Sequence, residues 1–263
     1  MEIWRLIEDG PCDGALNMAT DQAILTACGE GKAPPTLRLY GWTQPTLTIG
    51  YSQSVVRDID VNHCRERGIP VVRRPTGGRA LLHARELTYS LVAPIPHPRF
   101  PANLRDTFRV ISDALLLSLA QLGVQGAGIA QIKGISKEAR SPSCFSSLNH
   151  SEITVKNRKL IGSAQRRMSR SFLQHGSLWI DCDRQFMTSL FKFEFPKTRE
   201  RELEILESHT TTLQQLCGRD VPIAEAAQAF RNGFEKAFPE QWESAGLSPH
   251  ELKLRRQFLD QTV

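Results

Sequence analysis

The stretch Val71-Val-Arg-Arg-Pro-Thr-Gly-Gly-Arg-Ala-Leu-Leu-His-Ala-Arg-Glu-Leu-Thr-Tyr-Ser-Leu-Val-Ala93 sets apolar runs on both sides of one Pro-Thr-Gly-Gly turn. Val71-Val72 begins a strand, and Arg79–His83 and Leu87–Ala93 flank polar residues and read as adjacent strands of one sheet. Working outward, Thr36–Tyr40 and Thr46–Tyr51 are short, rich in β-branched and aromatic residues, and separated by Gly-Trp-Thr-Gln-Pro, which predicts a strand pair. Further strand-like segments stand at Glu152–Lys156, Arg158–Ala164 and Ser171–Ile180. So many short strands build a sheet, which helices must cover.

The helices announce themselves by period. Asn17–Cys28 carries Met18, Ile24, Leu25 and Cys28 at near-helical spacing and stops at Gly29 and Gly31. Asp60 can cap a short helix ending at Gly68. From Asn103 to Gly123, Leu104, Phe108, Ile111, Leu115, Leu119 and Leu122 form one stripe. Gly123–Ser147 shows no periodicity and is expected to be a long mobile loop. Past Asp183 the pattern turns helical, with a stripe of Ile223, Ala227, Phe230, Phe234 and Phe238 and a capping box at Ser248-Pro-His-Glu251. The expectation is a single α+β domain over residues 1–263, with a sheet-rich core at 1–182 and a mainly helical extension at 183–263 that packs on the sheet.

Composition excludes several classes. Of 263 residues, 40% are apolar and 23% charged, without low-complexity tracts, so disorder, collagen and coiled coil are ruled out. A net charge of +5 suits an acidic partner, but aromatics at 7% and no aromatic–basic interleaving argue against nucleic acid. Six scattered cysteines form no C-x-x-C pair, so neither a structural metal nor a redox motif is expected. Glu2 and Glu8 interrupt any signal peptide, and no apolar run is long enough for a membrane span, which predicts a cytoplasmic protein with reduced thiols.

Four segments carry candidate chemistry. Arg73, Arg74 and Arg79 around Thr76-Gly77-Gly78, with His83 downstream, form an anion or carbonyl clamp or else a plain hairpin turn with solvated arginines. The stretch lacks the G-x-x-x-x-G-K-[ST] pattern of a Walker loop. Lys159, entering an apolar strand that ends in Gly162-Ser163-Ala164, can bring an ammonium to a carbonyl or phosphate from a site edge where it adds little to packing, or be an exposed strand lysine. Cys144 lies among hydroxyls shortly after Lys133, Lys137 and Arg140, a setting that favours a thiolate nucleophile, whereas the other five cysteines read as inert small hydrophobes. His175, beside Gly176, can polarise a carbonyl or hydrogen-bond within the sheet.

Taken in order, these segments resemble the biotin/lipoate A/B protein ligase family. The resemblance runs from Trp4 and Asn17–Asp21 through Pro35–Trp42 and Pro45–Tyr51, peaks at Arg73–Ala80 and Glu86–Ser90, and resumes at Arg158–Gln165, Leu173–Ser177 and Thr211–Gly218. It implies a mixed sheet flanked by helices, as in biotin ligases and class II aminoacyl-tRNA synthetases. Two chemistries occur in such a family: ATP-dependent lipoate ligation, and octanoyl transfer from octanoyl-acyl carrier protein without ATP or another cofactor. The loop ending Gly77-Gly78-Arg79 instead of three glycines, the chain length, and Cys144 upstream of Lys159 favour octanoyl transfer.

The resemblance then implies that Cys144 carries the acyl group as a thioester and that Lys159 orients its carbonyl. It implies that Arg73, Arg74, Thr76, Gly77, Gly78, Arg79, His83, Gly162, Ser163, Ala164, His175 and Gly176 bind substrate. The implied acceptor is a lysine of an apo lipoyl domain, such as glycine cleavage H protein or a 2-oxoacid dehydrogenase E2. After Cys144-Phe145 the chain departs from the family's Pro-Ser-x-Tyr-Glu pattern, keeping only the glutamate, Glu152. A non-catalytic protein that binds acylated carriers or lipoyl domains is the alternative of another class.

Overall fold

The computed structural model describes residues 2–130 and 152–260. The chain runs through β1 (Ile3–Cys12), α1 (Gly14–Gly29), β2 (Thr36–Trp42) and β3 (Thr46–Ile49). Short helices α2 (Val55–Asp58) and α3 (Val61–Glu66) precede β4 (Val71–Arg73), β5 (Leu81–His83) and β6 (Glu86–Pro94). Helix α4 (Leu104–Gln121) leads into β7 (Ala127–Ile129), and β8 (Ile153–Val155), β9 (Arg158–Arg167) and β10 (Ser171–Trp179) follow. The remainder is α5 (Arg184–Ser189), α6 (Pro196–His209), α7 (Leu213–Cys217), α8 (Ile223–Ala237), β11 (Gln241–Ser244) and α9 (Pro249–Asp260).

Two sheets form, one of eight strands in the order β11-β1-β2-β6-β10-β9-β8-β7 and one of three in the order β4-β3-β5. This corrects two expected pairings. β2 and β3 do not pair, and neither do β5 and β6, because in each case the chain steps from one sheet into the other. β2 instead lies between parallel β1 and antiparallel β6, and β3 between parallel β4 and antiparallel β5. β11 also departs from the expectation of a purely helical C-terminal part, since it extends the large sheet beside β1. Within the expected loop, Ala127–Ile129 is a strand paired with β8, and the rest from residue 131, Cys144 included, lies outside the described residues.

The predicted caps at Asp60 and Ser248 are present, and Asn103 adds an unpredicted one to α4. Asn103 accepts from the Asp106 amide at 2.8 Å and Asp60 from the His63 amide at 3.0 Å. At Ser248 the capping box closes both ways, because the Ser248 amide donates to Glu251 and the Glu251 amide to Ser248 Oγ. Glu251 also takes both guanidinium nitrogens of Arg5 in a buried pair, which ties α9 to β1. On α8 the buried face is Ala226, Ala229, Phe230, Gly233 and Phe234, so the predicted stripe is rotated at its start and Ile223 is exposed.

Period two along the strands separates the faces of the large sheet. Leu37, Leu39, Tyr89 and Leu91 join residues of α4 and α8, among them Leu115, Leu119, Phe230 and Phe234, in the main apolar core. The alternate residues Arg38, Tyr40, Thr88 and Ser90, together with His175 and Ser177, are just as buried. α1 packs against β6 and β10, and the small sheet rests on a second apolar cluster that includes Leu47, Ile49, Leu81 and Leu190. The polar side chains therefore share an interior region with α1, the small sheet and the large sheet around them.

Candidate active site

A small, partly open cavity of about 40 Å³ lies there. Its apolar side is Met18, Tyr40, Trp42 and Leu81, and its polar side is Thr48, Arg74, His83, Thr88, His175 and Ser177. Gly162, Ser163, Ala164 and Gly176 complete the wall. Gly176 is dictated from behind, since a Cβ on it would stand 2.6 Å from the Gly162 carbonyl oxygen and 2.7 Å from the Tyr89 ring. This mix of apolar lining and few converging polar groups is what a small-molecule or acyl pocket needs.

The loop between β4 and β5 rims the cavity, and its arginines hold its shape. Arg73 Nη1 donates to the carbonyls of Gly50, Tyr51 and Gln53 at 2.7, 2.8 and 3.1 Å. Arg74 donates to the carbonyls of Thr48, Gly77 and Arg79 and to Thr48 Oγ1. The carbonyls clamped by these two guanidiniums are the protein's own. A Cβ on Gly50 would lie 1.9 Å from the Gly78 carbonyl oxygen, and Gly78 itself takes φ +95°, so both positions require glycine. Gly77 faces open space, and Arg79 is half-buried.

Two hydroxyl–imidazole–carboxylate chains reach the cavity through their histidines. In one, Thr48 Oγ1 lies 2.7 Å from His83 Nε2, and His83 Nδ1 lies 2.7 Å from Glu86 Oε1. Thr88 and Ser177 also donate to Glu86 Oε1, each at 2.7 Å, and Trp42 stacks on the His83 ring with centroids 4.0 Å apart. In the other, Thr76 Oγ1 lies 2.6 Å from His175 Nε2, and His175 Nδ1 lies 3.2 Å from Asp21 Oδ2. Asp21 further accepts from Arg38 and Tyr40 at 2.9 Å each. Burial works to raise the Asp21 pKa, but the His175 hydrogen bond and the Arg38 charge outweigh it and hold the carboxyl below its usual range. Burial pushes the His175 pKa down despite Asp21.

Lys159 is fully buried in an ion pair with Glu152, and it does not line the cavity. The readings of Lys159 as an exposed strand lysine and as a site-edge lysine that adds little to packing are both corrected, because the fold buries β9 at this point and pairs the ammonium with the buried Glu152 carboxylate. Burial raises the thiol pKa of Cys28 and Cys182 to about 12 and of Cys64 to about 11, and also raises that of Cys12, so all four stay protonated and unreactive. Cys144 lies outside the described residues, so its geometry is not part of this site. Among the described residues no group of His, Cys, Asp and Glu could hold a metal ion, and no helix is long and apolar enough to cross a membrane.

The structure thus gathers Arg74, His83, Gly162, Ser163, Ala164, His175 and Gly176 around one cavity, with Thr76 bonded to its wall. Sequence reasoning assigns no role to Thr48, Asp21 or Arg38. The available signal is the row Glu86, Thr88 and Ser90, polar at period two in a strand otherwise built for a core.

Residues 13–235 match the model of the lipoyl protein ligase A/B catalytic domain. Octanoyltransferase LipM of Anoxybacillus flavithermus is 40% identical over 255 residues, covering 95% of this chain and 92% of the relative. The LipM of Bacillus subtilis is 36% identical over 255 residues with the same shares. Among solved structures, a bipartite lipoate protein ligase from Thermoplasma acidophilum aligns with a TM-score of 0.82 at 22% identity over 99% of this chain and 93% of that one. Lipoate-protein ligase A bound with ATP aligns at 0.78 and 24% identity over 99% and 95%. At such identities the likeness is one of fold, and the sequence relatives carry the closer kinship: the chain belongs to the lipoyl protein ligase A/B catalytic-domain family and groups with its octanoyltransferases.

Proposed function

We propose that the protein transfers an octanoyl group from acyl carrier protein to a lysine of an apo lipoyl domain, in lipoate biosynthesis. The observation that carries this reading is the cavity itself, apolar at Met18, Tyr40, Trp42 and Leu81 and polar at His83 and His175. The octanoyl chain lies along the apolar side and its carbonyl end at the polar side. Cys144 exchanges its thiolate for the carrier's at nearly no free-energy cost, and the resulting thioester then meets the acceptor amine. Lys159 stabilises the negative charge that develops on the acyl oxygen, which requires it to turn from Glu152 during the reaction. The rim loop, held by Arg73 and Arg74, presents the open Gly77–Gly78 backbone to the incoming thioester.

The test mixes the protein with octanoyl-acyl carrier protein and an apo lipoyl domain, with and without ATP and magnesium, and weighs the acceptor by mass spectrometry. Octanoylation without nucleotide, lost in Cys144→Ala, is expected. Modification only from free octanoate or lipoate plus ATP would make the protein a ligase instead. Binding of the lipoyl domain without any modification would make it a non-catalytic relative.

A further inference from the structure

Amide formation needs a base, because a lysine with a pKa of about 10.4 is a neutral nucleophile in only about one molecule in 2,500 at pH 7. The balance is fixed: an acyl thioester and an ammonium give an amide, a thiol and one proton. As the N–C bond forms and the C–S bond breaks, the sulfur takes the electron pair, and the nitrogen must surrender two protons, one of which ends on the leaving thiolate. Some group in the cavity has to accept a proton from nitrogen.

The hydrogen-bond order around His83 is set by groups that can only donate or only accept. Arg74 only donates and gives a hydrogen bond to Thr48 Oγ1 at 3.1 Å, which leaves the Thr48 hydroxyl proton available to His83 Nε2, 2.7 Å away. Trp42 only donates and gives to Thr88 Oγ1 at 2.9 Å, so the Thr88 hydroxyl donates onward to Glu86. Glu86 then receives His83 Nδ1, which places the imidazole proton on Nδ1 and the lone pair on Nε2. All three donors converge on one carboxylate oxygen, and the other, Oε2, is buried without a partner among the described residues. An imidazole that gains a proton here faces a carboxylate whose charge is only half answered.

We propose that His83 is the general base of the amide-forming step, its Nε2 taking a proton from the acceptor nitrogen while Glu86 fixes the ring and supports the imidazolium. Thr48 and His83 both line the cavity, so an entering amine that displaces the Thr48 hydroxyl reaches Nε2 directly. His175 differs at that point: its hydroxyl partner Thr76 belongs to the rim loop and does not line the cavity. After the C–S bond breaks, the proton on His83 passes to the thiolate, the nitrogen's second proton is released to water, and the ring returns to its starting state. The proposal rests on the acyl-thioester reading above.

The experiment loads the enzyme from octanoyl-acyl carrier protein, removes the donor, and adds either apo lipoyl domain or hydroxylamine, an amine already neutral at pH 7. Rates of adduct loss and product formation are followed by quenched mass spectrometry. In His83→Gln the transfer to lysine should fall about 10²–10³-fold, while release by hydroxylamine falls far less, since an amine already neutral has no ammonium proton to lose and its one remaining proton can pass straight to the leaving thiolate. Should His83→Gln fold poorly, Glu86→Gln is read the same way, with a smaller loss towards lysine and a smaller one still towards hydroxylamine. Wild-type transfer to lysine in a folded His83→Gln enzyme, or an equal loss with both acceptors, overturns the proposal. A wild-type enzyme that never carries an octanoyl adduct removes the acyl-enzyme reading first and the proposal with it.

Discussion

Thr48–His83–Glu86 and Thr76–His175–Asp21 are built from the same three groups, yet their outer ends differ. Asp21 is saturated, taking Arg38, Tyr40 and His175, and the hydroxyl at the other end anchors the rim loop. Glu86 keeps one oxygen unpartnered, and its hydroxyl end opens on the cavity. A buried histidine–carboxylate pair tied into the fold at both ends braces the structure, and one with an end on a cavity can serve a substrate. What surrounds the motif decides its use.

The largest effect expected comes from a third buried pair, Lys159–Glu152, which sets the scale for breaking a brace. Lys159→Ala should cost about 3–5 kcal/mol of stability, because it removes one member of a buried ion pair with Glu152. Urea unfolding reads this, and the Glu152→Ala/Lys159→Ala double variant should lose less than either single one. A cost near zero would mean that the pair is as dispensable as a surface contact.

Next in size is the direct comparison of the two carboxylates. Asp21→Asn should cost about 3 kcal/mol, since Arg38 is buried and keeps only Asp9 as a counter-charge. Glu86→Gln, which touches no buried cation among the described residues, should cost about 1–2 kcal/mol. Equal losses in urea would erase the distinction between brace and working pair.

The smallest effect is in pH. With its pKa pushed below 6.5 in the fold, His175 binds fewer protons native than unfolded, so stability falls as pH drops below about 6.5, by at most about 1.4 kcal/mol per pH unit. Asp21 adds to the loss at lower pH, because its stabilisation is present above 3.8 and disappears as pH falls through its depressed native value. Thermal unfolding from pH 7 to 5 should therefore slope in the wild type and flatten in His175→Gln. An unchanged slope in that variant would show that His175 does not titrate on unfolding.

Local signals were legible where one element supplies its own evidence: the α4 stripe, the cap at Asp60, and the Ser248–Glu251 box. Strand partners were not. Hairpin reasoning joins neighbours in sequence, but Gly41–Pro45 and Ala84–Arg85 carry the chain between two sheets, and β1 finds parallel partners at long range. The density of arginine and glycine at 73–79 marked the rim loop, although not that two guanidiniums face inward to its carbonyls. Asp21, Arg38 and Thr48 carry no local signature, because each becomes polar machinery only when α1, β2 and β3 converge.

The parallel pairing of β1 with β11 has a consequence for synthesis. Ile3 must wait for Gln241, about 240 residues later. At ribosomal speeds of about 5–20 residues per second, the outer edge of β1 stays bare for about 12–50 s on every round of translation. Through that interval Trp4, Leu6 and Ile7 form part of an open, apolar strand able to template pairing with another nascent chain. The arrival of β11, locked by Arg5 and Glu251, closes that aggregation window.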